Sequence, residues 1–95
     1  MARRLPPAQR AAYEHLRVLT EDIIARHATV PQRVLAESVG VHQTMVSNVL
    51  KGRMTSFVTL ALIARVIMPM VAANDQRALQ GELARVESLM RQPRR

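Results

Sequence analysis

The sequence predicts an all-α fold, a compact bundle of five helices with a helix-turn-helix at its centre. Three observations lead there. Apolar residues recur with helical spacing, and no run alternates apolar and polar in the manner of a strand. Pro6, Pro7, Pro31, Gly40, Gly52 and Pro69 punctuate the helical stretches at their boundaries. Residues 32–52, QRVLAESVGVHQTMVSNVLKG, place Ala36, Gly40 and Val46 at offsets 0, +4 and +10, the spacing of two short helices joined by a tight turn.

Each element has its own local reason. Residues 1–7 read as a basic arm, and Pro7 suits a helix start. A first helix at about 8–27 carries the stripe Ala12, Leu16, Leu19, Ile23 at i, i+4, i+7, i+11. Thr29-Val30-Pro31 breaks it; Thr29 or Val30 is expected to cap the next helix, with Pro31 in its first turn. The helix-turn-helix at 31–52 follows, as helices of about 31–39 and 43–51. Ala36 is small enough for the second helix to cross close by. Gly40 stands where the first helix ends and the backbone needs positive φ. Val46 fills the angle between the helices, and Gly52 stops the second one, with Lys51 beside the negative end of its dipole.

Thr55 or Ser56 is expected to cap a helix at about 56–72, whose Phe57, Leu60, Ala61, Ile63, Ala64 and Ile67 face inward. Val58, Leu62 and Val66 make that helix apolar on most sides, and Pro69 should kink it or end it early. Asn74 or Asp75 caps a last helix at about 75–91. Its stripe Leu79, Leu83, Val86, Met90 is either core or dimer interface. Four other helices already fill a small core, so the dimer interface is the expectation, with Val58, Leu62 and Val66 as a second surface. The expected division is therefore an arm at 1–7, a helix-turn-helix domain at 8–74, a dimerisation helix at 75–91 and a basic tail at 92–95.

Composition narrows the function. The chain has 14 Lys+Arg against 7 Asp+Glu, a net charge of +7, which favours an anionic partner. No acidic residue occurs between Glu37 and Asp75, an interval that contains the second helix of the motif. Tyr13 and Phe57 are the only aromatics, too few for the stacking platforms that hold single strands and RNA loops, so duplex DNA is preferred. Absence of cysteine excludes disulfides and thiolate zinc sites and fits a reducing cytoplasm. The start MARRLPPAQR has no apolar core of a signal peptide. Phe57–Ala73 is 17 residues long with Arg65 near its centre, which reads better as a buried helix than as a membrane span. His15, His27 and His42 make no i, i+3 or i+4 pair, so no metal site is expected. No nucleophile–base pair and no glycine-rich phosphate loop occurs, so neither enzyme chemistry nor a cofactor is expected. A chain of 95 residues leaves no room for a sensor domain, and no small-molecule ligand is expected.

The helix at 43–51 sorts its residues by face. At about 100° per residue, Gln43, Thr44, Ser47, Asn48 and Lys51 span roughly 0–140°, and Met45, Val46, Val49 and Leu50 roughly 200–340°. An ordinary solvent face carries Glu and Lys, chosen for helix propensity and solubility. This face carries the poorer helix formers Thr44, Ser47 and Asn48 and no carboxylate, which suits base edges and phosphates in a major groove.

Residues 12–72 resemble the lambda-repressor/Cro-like family of DNA-binding domains, also called the Xre family. The resemblance rests on QRVLAESVGVHQTMVSNVLKG, preceded by one helix and followed by an apolar one. It implies a bundle of four or five helices that binds duplex DNA, usually as a dimer on a near-palindromic operator. Gln32 and Gln43 match a pair of glutamines in some such repressors, the first on a phosphate and the second on an adenine edge. Thr44, Ser47 and Asn48 match the other base-reading positions, and Lys51, Arg53 and Thr55 match the loop that clamps the backbone. Pro31 and His42 depart from the family, standing where Thr or Ser often caps each helix. His42 is either a phosphate contact or a solvent-exposed turn residue, and Arg3, Arg4, Arg94 and Arg95 are expected to add contacts from flexible arms. The implied function is a cytoplasmic dimeric repressor of phage or plasmid type. The alternative is an antitoxin or phage-type adaptor whose C-terminal helices bind a partner protein.

Overall fold

A helix of 21 residues, α1 (Pro7–His27), is the spine on which every other helix packs directly or at one remove. The structure, a computed structural model, describes residues 5–27 and 30–91. The expectations placed on Arg3, Arg4, Thr29, Arg94 and Arg95 lie outside the described residues. After α1 come α2 (Gln32–Val39), α3 (Gln43–Leu50), α4 (Phe57–Ile67) and α5 (Ala73–Met90), with a single 3-10 turn at Met68–Met70. The described residues contain no strand, and the chain is an all-α bundle of five helices.

The core draws on all five helices. Leu16 and Ile23 of α1, Leu35 of α2, Val46 and Val49 of α3, Leu60 and Ile63 of α4, and Leu79 and Val86 of α5 are completely buried. Thr20 is buried among them without an orphaned hydroxyl, because its Oγ1 donates to the Leu16 carbonyl at 2.7 Å. Gln9 is also buried and donates from Nε2 to the Leu89 carbonyl at 2.8 Å. At the other end of α1, His27 Nε2 lies 2.8 Å from Asp75 Oδ2. These two contacts run α5 antiparallel along α1.

That packing corrects the reading of Leu79, Leu83, Val86 and Met90 as a dimer interface. Leu79 and Val86 are 0% exposed and Leu83 is 5% exposed within a single chain, and Met90 is half-buried against the same core. The reason is length. The eight-residue helices α2 and α3 each span only about 12 Å, so they leave much of the long α1 uncovered, and α5 fills that space. The apolar residues that stay exposed on α4 are Val58 at 69% and Leu62 at 38%.

Local boundaries follow local chemistry. Ser56 is the α4 cap; its Oγ accepts from the Thr59 N–H at 3.3 Å, and its own N–H donates to the Tyr13 hydroxyl at 3.0 Å. Pro69 ends α4 at Ile67, and the chain continues as the 3-10 turn. Neither Asn74 nor Asp75 caps α5. The helix starts at Ala73, with Ala72 at the cap position and no side-chain cap, and Asp75 sits in its first turn instead. There the His27 ring and then the Arg26 guanidinium hold the Asp75 carboxyl below its ordinary range. Among the described residues, no helix is long and apolar enough to cross a membrane.

Candidate nucleic-acid interface

The site is built on α2, α3 and the three residues between them. Gly40 adopts φ 83°, and its N–H donates to the Ala36 carbonyl at 2.8 Å, joined there by the Val41 N–H at 3.0 Å. A Cβ at Gly40 would meet nothing within 4 Å, so the left-handed backbone alone calls for glycine. Ala36 and Val46 are buried where the two helices meet. At the end of α3, Gly52 takes φ 79°, and the N–H groups of Arg53 and Met54 both donate to the Asn48 carbonyl, at 2.9 and 3.1 Å.

One residue that sequence reasoning missed fixes this end of α3. Arg17 of α1 donates from Nη1 to the Leu50 carbonyl at 2.6 Å, and its side chain is only 12% exposed. Glu14 accepts from its Nε at 3.0 Å, and Glu21 lies 3.5 Å from its Nη1. The Arg17 hydrogen bonds hold the Glu14 carboxyl below its ordinary range. The available signal was an arginine flanked by acids at i−3 and i+4 on α1, an arrangement that orients a guanidinium rather than leaving it in solvent.

The outer face of α3 is polar as the helical wheel requires. Gln43 and Thr44 are exposed, Ser47 and Asn48 are half-buried, and Val46, Val49 and Leu50 are buried on the other side. Gln43, Thr44, Ser47 and Asn48, with Gln32 of α2 and Arg53 of the following loop, line one open depression of about 310 Å³. Among the described residues, no carboxylate lines it. Arg53 turns toward α3 and donates from Nη1 to Asn48 Oδ1 at 3.4 Å.

Three further predicted residues, His42, Lys51 and Thr55, are exposed but do not line the depression. The Lys51 Nζ lies 3.9 Å from Glu21 Oε2. His42 and Pro31 hold the cap positions of α3 and α2 in extended backbone, and neither supplies a side-chain cap. The first N–H groups of both helices therefore point outward without a cap acceptor, at the positive ends of their dipoles. Arg33, exposed in the first turn of α2, was not singled out from sequence although it is the immediate neighbour of Gln32.

Amide, hydroxyl and guanidinium groups in one concavity can donate to and accept from base edges and phosphates. Among the described residues, no three His, Cys, Asp or Glu side chains gather in a way that could hold a metal ion. Comparison with protein-family models, with curated proteins and with solved structures gives no match.

Proposed function

We propose that this chain is a sequence-specific double-stranded DNA-binding regulator of the lambda-repressor/Cro-like type, acting as a dimeric repressor by occluding a promoter. In this reading α2 and α3 are a helix-turn-helix, and α3 enters the major groove. Gln43, Thr44, Ser47 and Asn48 read base edges, while Gln32, His42, Lys51, Arg53 and Thr55 hold phosphates. The observation that carries the reading is the carboxylate-free depression in which four residues of α3 meet Gln32 and Arg53. A dimer would set two such helices in successive major grooves about 34–36 Å apart. With the α5 stripe buried, its contact is proposed at Val58 and Leu62 on α4. The proposed setting is the bacterial cytoplasm.

The test is a pull-down of sheared genomic DNA at about 150 mM salt, near physiological ionic strength, with sequencing of what is retained. Enrichment of one short two-fold symmetric site is the expected result. Uniform retention of all fragments would leave only charge as the binding force and would overturn the reading.

A further inference from the structure

A second groove lies between α1 and α5, and it shares no residue with the depression on α3. Its volume is about 580 Å³. Val18, Leu19 and Ala78 give it an apolar lining; Glu14 and Asp22 stand one turn before and one turn after Val18 on α1, and Glu82 one turn after Ala78 on α5. Val18 is 49% exposed, a high value for a valine in mid-helix beside a core. The charge is unusual for this molecule. Three of the chain's seven acidic residues line the groove, and among the described residues no Lys or Arg does and His15 is the only base. Glu14 and Asp22 engage Arg17 and Arg26 but remain 50% and 58% exposed, so each keeps a face for a further cation. Glu82 Oε2 is secluded and has no hydrogen-bond partner among the described residues.

We propose that this groove docks an amphipathic helix of a partner protein, whose aliphatic side chains cover Val18, Leu19 and Ala78 while flanking Lys or Arg residues meet Glu14, Asp22 and Glu82. An apolar strip between cations is the complement of an apolar lining between carboxylates. A second copy of this chain fits less well. Its exposed apolar pair on α4, Val58 and Leu62, is accompanied by Arg65, and Arg65 already donates to Glu87 at 2.6 Å. The proposal does not depend on DNA binding, so either can fail alone.

The test is titration of the full ¹⁵N-labelled chain with a synthetic amphipathic helical peptide of Leu and Lys, followed through backbone amide shifts. Saturable shifts at Val18, Leu19, Asp22, Ala78 and Glu82 are expected, and a peptide with Glu in place of Lys should produce none. Asp22→Lys should weaken binding about tenfold, since it removes an attraction and adds a repulsion. Val18→Ser provides a second variant in the apolar lining, and the same spectra report whether each variant is folded. The proposal is overturned by shifts centred on α3, by equal binding of the acidic peptide, or by unchanged affinity in both folded variants. Concentration-dependent shifts at the groove without peptide would assign it to a second copy and overturn it as well.

Discussion

Replacing Arg17 with methionine should destabilise the fold by about 2 kcal/mol, because it removes a charged hydrogen bond to a helix end. The Arg17 guanidinium donates to the Leu50 carbonyl, one of the last acceptors of α3, and is largely shielded from water. A hydrogen bond from a charged group contributes about 1.5–3 kcal/mol, and its partly exposed pairs with Glu14 and Glu21 add little. Methionine keeps most of the apolar stem, so lost packing adds little. Urea titration reads the change directly, and the melting temperature should fall by about 8–16 °C for a domain of this size. A loss below about 0.5 kcal/mol, the level of an ordinary surface substitution, would refute the reasoning. Gly52 supplies an internal check. A Cβ there meets Arg17 Cζ and Nε at 3.3 Å, whereas one at Gly40 meets nothing, and both glycines have positive φ. Gly40→Ala should therefore show only the backbone term of roughly 1–2 kcal/mol. Gly52→Ala should cost more than that in the native chain and about the same in the Arg17→Met background, a coupling of about 0.5–1 kcal/mol. Strict additivity would mean that Arg17 does not hold its place against Gly52.

Five further outcomes are expected. Gln43→Ala should lower operator affinity by about 1–3 kcal/mol at fixed salt and relax the preference at one base pair, as read by competition with variant operators. Glu21→Gln should release Lys51 toward phosphate and tighten DNA binding about two- to fivefold, whereas Lys51→Ala should reduce the salt slope of binding by about 1. Leu79→Ala should destabilise the monomer by about 2–5 kcal/mol without changing the oligomeric state measured by sedimentation, since its side chain lies in the core of one chain. Asp75 contributes stability as an anion held by His27 and Arg26. Its contribution is full above its ordinary pKa and is lost as pH falls through the depressed native value. The stability gap between the native chain and Asp75→Asn, measured by denaturation at a series of pH values, should therefore close as the solution is acidified.

What the sequence made legible was local. Gly40, Gly52 and Ser56 each impose a backbone state or a cap within one turn, and helix boundaries near them fall within a residue or two of their expected places. The bound of about 72 for the fourth helix was too long, and Pro69 is the reason. Periodicity also named the correct face of α5, but a stripe says which residues need cover and not what covers them. That answer depended on how far α2 and α3 extend along α1. The Arg17 contact with the Leu50 carbonyl and the Lys51–Glu21 pair were illegible for a related reason, as both join α1 to the end of α3 across the fold. Asp75 attracted a capping assignment because aspartate is a common cap, yet His27 and Arg26 reach it from the far end of α1.

The distribution of ion pairs bears on the proposed DNA reading more directly than the net charge of +7 does. Glu14, Glu21 and Asp22 on α1 engage Arg17 and Arg26, Asp75 engages Arg26 and His27, and Glu87 engages Arg65. The carboxylates of Asp75 and Glu87 tie helix to helix, whereas Glu14, Glu21 and Asp22 pair with arginines of their own helix. The arginines beside the depression on α3 are not held in this way by any described carboxylate, and neither are Arg10, Arg77 and Arg85 elsewhere. Among the described residues, Arg33 and Arg53 have no carboxylate within ion-pair distance, and Lys51 has one only at the 3.9 Å edge of it. A cation already paired must lose its partner before it can take a phosphate, and that cost offsets much of the gain in a high-dielectric surface setting. Unpaired cations carry no such cost and release counterions from DNA in full. The salt dependence of binding should accordingly be governed by Arg33, Arg53 and Lys51 rather than by the paired Arg17, Arg26 and Arg65.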